Sequence, residues 1–100
     1  MTRMDAVTTL SALAEPTRLA AMRMLRDGRE RCVCELMSAL GVSQSRMSRH
    51  MTALKLAGLV TDRRDAQWVR YRRSSSLPAQ VNALVDAALD LPETRRQSAA

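Results

Sequence analysis

Aromatic residues, histidine and cysteine are scarce in this 100-residue sequence, and the scarcity excludes several classes of protein. With no phenylalanine, one tryptophan and one tyrosine, few strands are expected, and the core should consist of aliphatic and methionine side chains. The single histidine, His50, leaves no second imidazole for a histidine metal site, and no histidine lies near the cysteines to activate a thiol nucleophile. The composition therefore predicts a mainly α-helical protein that is not an enzyme.

Long apolar runs are also missing. No run reaches the length of a membrane helix, and Asp5 interrupts the N-terminal stretch before a signal peptide could form. We therefore expect a cytoplasmic protein without a membrane partner. Because the cytoplasm keeps thiols reduced, Cys32 and Cys34 are expected to be free thiols and not a structural disulfide.

The length is sufficient for one compact domain. Hydrophobic residues make up 46% of the chain, which predicts a single domain over residues 1–91 and a flexible C-terminal tail over residues 92–100. A domain of this size buries little surface alone, so a partner subunit would stabilise it.

The positive charge is concentrated in one segment. The chain carries a net charge of +6, and residues 44–73 contain eight basic residues against two aspartates, whereas the rest of the chain has eight of each sign. A contiguous excess of this kind suits a polyanion, because each neutralised phosphate releases condensed counterions. The charge distribution predicts double-stranded DNA as a partner.

Hydrophobic spacing predicts the secondary structure. Apolar residues recur at helical intervals in five segments, and two short runs with β-branched and aromatic residues flank a turn at residues 65–67. The prediction is a mainly α, winged helix-turn-helix fold with five helices and a two-stranded β-hairpin wing. The predicted helices cover residues 4–14, 16–28, 33–40, 43–58 and 77–91, and the strands cover residues 60–64 and 68–72.

The third and fourth predicted helices are separated by only three residues, 41–43, which is typical of a helix-turn-helix motif. The fourth helix has small polar and basic residues opposite its methionine stripe, so it could enter a major groove, while arginines of the hairpin could contact phosphates. The alternative is an ordinary surface helix of a bundle. His50 is expected to contact a phosphate or to cap a helix. The predicted DNA contacts are Ser43, Gln44, Ser45, Arg46, Ser48, Arg49, His50, Arg63, Arg64 and Arg70.

Cys32 and Cys34 stand where the third predicted helix begins, and the positive helix end favours thiolates there. Two thiolates could hold Hg(II) or a methylated arsenic(III), whereas inorganic arsenite and antimonite prefer three sulfurs. Two packed cysteines without a ligand are an equally simple interpretation, and Met37, one turn further on, is expected in the core. A thiol-redox switch and a small thiol enzyme are the remaining alternatives.

Three segments closely resemble the ArsR family of metalloregulatory repressors, and the resemblance extends over roughly residues 5–91. They are CVCEL at 32–36, SQSRMSRH at 43–50 and WVRYR at 68–72. The resemblance implies a homodimer that represses transcription without an inducer and is joined through its first and last helices. The interface residues would be Val7, Leu10, Val81, Leu84, Val85, Ala88 and Leu89.

The resemblance also implies an inducer. Cys32 and Cys34 match two of the three arsenite-binding cysteines of the arsenic-sensing branch, and Met37 stands where that branch has its third. A trivalent arsenic or antimony species is therefore the expected inducer, with hydroxide or an external thiol completing its coordination and with no structural cofactor. The branch that senses zinc through histidine and carboxylates on the last helix fits poorly, because that helix has no histidine. At the wing tip, Ala66 replaces a frequent glycine, which could alter the turn but should leave the wing intact.

Overall fold

The structure, a computed structural model, describes residues 4–93, so most of the predicted tail, residues 94–100, lies outside the described residues. It contains the five predicted helices and the predicted hairpin. Within residues 4–93, no helix combines the length and the hydropathy that crossing a membrane requires. The elements are α1 Ala6–Leu13, α2 Pro16–Met24, β1 Arg31–Cys32, α3 Val33–Leu40, α4 Gln44–Leu56, β2 Val60–Asp65, β3 Trp68–Arg73 and α5 Ala79–Asp90.

Local capping explains where the first helices begin. The carboxylate of Asp5 accepts the N–H of Thr8 at 2.7 Å, and this hydrogen bond lowers the pKa of Asp5. Glu15 accepts the N–H of Arg18 at 2.9 Å, and Pro16 occupies the first helical position of α2. These side chains satisfy N–H groups that a helix leaves without internal partners, so the sequence fixes both starting points.

Gly41 forms the turn between α3 and α4. Its φ of 65° is left-handed, a conformation that glycine adopts without the steric cost of a Cβ atom. The N–H groups of Gly41 and Val42 both donate to the carbonyl of Met37, at 2.9 and 3.2 Å. The predicted three-residue turn is therefore confirmed.

The sheet has three strands in the order β1-β3-β2, and all neighbours are antiparallel. The prediction of two strands was incomplete, because β1 is two residues long and shows no alternation that could be detected. In β1, Cys32 lies opposite Arg70 of β3. The hairpin turn is intact, and Ala66 adopts a φ of 57° there, so an alanine takes the left-handed conformation that glycine would adopt more easily.

The core is built from aliphatic and thioether side chains, as the composition predicts. Met47, Met51 and Leu54 of α4 are fully buried beneath the motif. Tyr71 is buried and Trp68 packs against the core, so both aromatic side chains contribute to packing. The rest of the fully buried large side chains are Met22, Leu25, Leu36, Leu59 and Val85.

One arginine of the basic segment is buried. Arg73 is 8% exposed, and its guanidinium donates to Asp86 at 2.8 Å and to the side-chain oxygen of Asn82 at 2.7 Å, which joins β3 to α5. The hydrogen bond from Arg73 lowers the pKa of Asp86. Burial without these partners would be costly, so Arg73 is a structural residue and does not belong to the DNA-facing charge.

Candidate nucleic-acid interface and thiol site

The outer face of α4 presents the predicted base-reading residues. Gln44, Ser45, Arg46 and Arg49 are exposed, and Ser48 is half-buried. Because the methionine stripe on the opposite face is anchored in the core, these side chains project from a rigid helix. They are accessible to a partner, and their contact with DNA stays a prediction.

Two predicted contacts have partners within the protein. The hydroxyl of Ser43 accepts the N–H of Arg46 at 3.3 Å and so caps α4. His50 is only 16% exposed, and its Nδ1 lies 3.8 Å from a carboxylate oxygen of Glu15 at the start of α2. Both side chains therefore already have a contact within the protein.

The wing arginines differ from one another. Arg63 donates to both carboxylate oxygens of Glu30, at 2.8 and 2.7 Å, and this pairing lowers the pKa of Glu30 and raises that of Arg63. Arg70 donates to Asp65 at 2.7 Å and lowers the pKa of Asp65. Arg64 is exposed and forms no ion pair within residues 4–93. Two of the three wing arginines that were predicted to contact phosphates are therefore already paired with carboxylates of the protein.

The cysteines occupy the first turn of α3. Cys32 is the N-cap: its Sγ accepts the N–H of Cys34 at 3.1 Å, while Glu35 accepts the N–H of Cys32 at 2.9 Å. This reciprocal arrangement is a capping box with sulfur in place of the usual hydroxyl. Cys32 is buried and Cys34 is half-buried.

The expectation of free thiols was wrong for this structure, which joins Cys32 and Cys34 in a disulfide. The extended backbone of Cys32 turns its side chain over the first turn of α3, and the two Cα atoms are 5.1 Å apart, a separation that a disulfide can span. Met37 packs partly buried against the core, as expected. Among residues 4–93, no group of three or more histidine, cysteine, aspartate or glutamate side chains could hold a metal ion.

The link between the thiol site and the wing was missed by the sequence analysis. Cys32 lies in β1, which pairs with wing strand β3. Glu30, just before β1, accepts a hydrogen bond from Arg63 of wing strand β2. Glu30 lies 33 positions from Arg63 in the sequence, and no local pattern indicates such a pairing.

The predicted dimer residues fall into two groups. Val7 and Leu10 of α1 are 74% and 49% exposed, while Leu84 and Ala88 of α5 are partly buried. Leu10 and Ala88 line one shallow apolar groove. The other three, Val81, Val85 and Leu89, are buried in the protomer's own core, where they support α5 from inside.

A short helix, a glycine turn, an exposed polar helix and a charged hairpin together define a winged helix-turn-helix protein of the DNA-binding class.

The sequence profile described as "Bacterial regulatory protein, arsR family" matches residues 15–62. The chain is 42% identical over 76 residues to the arsenical resistance operon repressor of Escherichia coli, a match that covers 76% of this chain and 65% of that protein. It is 41% identical over 78 residues to the arsenic resistance transcriptional regulator ArsR2 of Pseudomonas putida, covering 78% and 68%.

Solved structures agree. HlyU from Vibrio cholerae superposes with a TM-score of 0.72 at 41% identity, covering 83% of this chain and 86% of that one. A possible transcriptional regulator for arsenical resistance superposes with a TM-score of 0.68 at 37% identity, covering 81% and 83%.

The chain belongs to the ArsR family of transcriptional repressors. It spans about two thirds of the length of the curated relatives named above, 65% and 68%. These relatives are regulators and not enzymes, so the alternative of a small thiol enzyme is not retained.

Proposed function

We propose that this chain is a cytoplasmic, homodimeric repressor that binds operator DNA and releases it when a trivalent arsenic or antimony species binds Cys32 and Cys34. The observation that supports the proposal is that Cys32, at the end of β1, caps α3 and Cys34 lies in its first turn, while β1 pairs directly with the wing. A ligand at this position acts on the DNA-binding element without a long path through the core.

The reduced pair supplies two thiolates to one ion. Cys32 and Cys34 are two positions apart with Cα atoms 5.1 Å apart, so after reduction both sulfurs can separate and turn towards one soft ion. Hydroxide or a small external thiol would complete the coordination of trivalent arsenic.

Release of the DNA would follow because residues 30–32 contact both strands of the wing. Moving Cys32 towards an ion disturbs the β1–β3 pairing and, through Glu30, the position of Arg63. An ion that binds the displaced arrangement more tightly shifts the population away from the DNA-bound state. Allosteric coupling of about 1–3 kcal/mol corresponds to an affinity change of roughly 5- to 150-fold.

Dimerisation would use the exposed apolar residues of α1 and the outer side of α5. Val7 and Leu10 are exposed on α1, Leu10 shares a groove with Ala88 of α5, and a second copy would cover them. Two joined protomers would place two α4 helices at half-sites about one duplex turn apart.

The test measures DNA affinity of the reduced protein with arsenite, methylarsenite, antimonite or Hg(II). Wild type should lose about 5- to 150-fold in affinity with at least one ion. Cys32→Ser and Cys34→Ser should not respond, although both should fold, since a serine hydroxyl at the Cys32 position still caps α3. If no ion releases the DNA, the sensing half of the proposal fails.

The matched control is Met37→Leu, which keeps the volume and removes the thioether. Because Met37 packs against the core and is not a proposed ligand, the ion response should be unchanged. A response lost in this variant would contradict a two-cysteine site.

A second candidate function is a thiol-redox-responsive repressor, and the disulfide between Cys32 and Cys34 favours it. Hydrogen peroxide would take two electrons and two protons from the two thiols, forming the disulfide and two molecules of water. This candidate predicts that peroxide weakens DNA binding and that dithiothreitol restores it. DNA release by an ion under full reduction would favour the first candidate instead.

A further inference from the structure

Three arginines from two helices converge beside the recognition surface. Arg18 of α2 and Arg46 and Arg49 of α4, together with His50, line an open concavity of about 280 Å³. We refer to Arg18, Arg46 and Arg49 as the arginine cradle. Arg18 lies 26 positions or more from the segment that carries the excess charge, and the sequence analysis gave it no role.

The backbone fixes the position of Arg18. Its side-chain Nε donates to the carbonyl of Ala12 at 2.7 Å, and its own N–H donates to Glu15 at 2.9 Å. The two terminal nitrogens of its guanidinium have no hydrogen-bond partner among residues 4–93. The group is therefore held in place while four of its five N–H donors stay available to a ligand.

The cradle is not neutralised by the protein. In the described part of the chain its three guanidinium groups form no ion pair, whereas Arg26, Arg63, Arg70 and Arg73 each have a carboxylate. Glu15 is the nearby acid, and it accepts the N–H of Arg18 and faces His50. Converging cations without counter-charges create a positive potential, and planar guanidinium forks match phosphate oxygens.

We propose that Arg18 binds a backbone phosphate of the DNA together with Arg46 and Arg49, and so sets how α4 enters the groove. Phosphate fits because the cradle opens beside exposed polar side chains of α4, where a duplex strand would pass. The inference rests on the DNA-binding half of the proposed function and does not depend on ion sensing.

Two substitutions separate this role from a structural one. Arg18→Gln keeps a nitrogen at the position of Nε, so the hydrogen bond to Ala12 can persist while the charge is lost. Arg18→Lys keeps the charge and loses that nitrogen. A phosphate contact predicts that Arg18→Lys keeps the DNA affinity and that Arg18→Gln lowers it, whereas a purely structural role predicts the reverse.

The readout is the dependence of DNA affinity on salt, measured with a duplex selected in vitro by the wild-type protein. Each lost phosphate contact should reduce the slope of log K against log salt by about 0.9 per protomer. We expect this reduction for Arg18→Gln and a nearly unchanged slope for Arg18→Lys. Arg29→Gln is the control, since it removes the same charge from an exposed side chain outside the cradle.

An unchanged slope for Arg18→Gln overturns the proposal, and so does a slope lost in Arg18→Lys but kept in Arg18→Gln. A titration with inorganic phosphate distinguishes DNA phosphate from free phosphate. The duplex should shift the side-chain NMR signals of Arg18, and millimolar inorganic phosphate should not. Saturation of these signals by phosphate, together with an unchanged salt slope in Arg18→Gln, would also contradict the proposal. A reduced slope in Arg18→Gln with no response of wild type to any ion would refute only the sensing function.

Discussion

The two basic regions of the molecule, the arginine cradle with α4 and the wing, carry the same residue type in opposite electrostatic situations. Arg46 and Arg49 have no carboxylate partner among residues 4–93, while Arg63 and Arg70 of the wing are each held by an acid. A free arginine can neutralise a phosphate at once, but a paired arginine must first exchange a protein carboxylate for it.

The difference indicates a division of labour. The arginines of α4 have no carboxylate to give up among residues 4–93, whereas Glu30 holds Arg63 beside the segment that contains Cys32. Under the proposed function, a change at the thiol site would reach the wing through this ion pair and would alter the wing's contribution to DNA binding without a change in α4.

The largest expected effect comes from comparing a substitution of Arg49 in α4 with a substitution of the Glu30–Arg63 ion pair of the wing. Arg49→Ala should weaken DNA binding roughly 10- to 150-fold, because Arg49 belongs to the arginine cradle and a hydrogen bond to a charged group contributes about 1.5–3 kcal/mol. The double change Glu30→Gln with Arg63→Gln leaves the net charge the same. It should weaken DNA binding less than about 3-fold, because Arg63 is already paired with Glu30. Equal losses in a fluorescence-anisotropy titration would abolish the distinction.

Freeing the wing should make the two regions more alike. Glu30→Gln removes the carboxylate that holds Arg63, so DNA affinity should rise about 3- to 10-fold and fall more steeply with salt. Asp27→Asn is the control, because it removes an equal charge from the same loop and leaves the Arg63 pair intact. A comparable rise in the control would indicate a general charge effect.

The wing can also be changed without altering its charges. Ala66→Gly should raise the free energy of unfolding by roughly 0.5–1 kcal/mol, since relief of the left-handed conformation exceeds the entropy cost of glycine. DNA affinity should stay the same. Urea unfolding measures the first effect, and a destabilised variant would show that Ala66 is not strained.

The smallest effect concerns acid. Glu30 and Asp65 have pKa values lowered by Arg63 and Arg70, so their ion pairs stabilise the fold above the ordinary carboxyl pKa of about 4 and are lost as pH falls through the lowered values. Below about pH 4, wild type should therefore lose more stability than a Glu30→Gln, Asp65→Asn variant. Parallel pH profiles in thermal melts would show that the wing pairs do not contribute.

Most of the fold could be predicted because its determinants are local. Glycine at position 41, the cap at Ser43 and the methionine stripe of α4 each act within a few residues, so the motif and its exposed face follow from spacing. Strand β1 could not be predicted, because two residues carry no periodicity and its partner strand lies far along the chain. The burial of Arg73 could not be predicted either, because Asp86 and Asn82 reach it from another helix.

The sequence by itself determined the five helices, the hairpin, the family and the identity of the two sulfur residues, because periodicity, caps and short motifs are properties of neighbouring residues. Only the tertiary structure decided which charges are available: it buried Arg73, paired Arg63 with Glu30 and brought Arg18 beside Arg49. Pairing of charges depends on distances of a few ångströms between segments remote in sequence, and folding alone sets those distances.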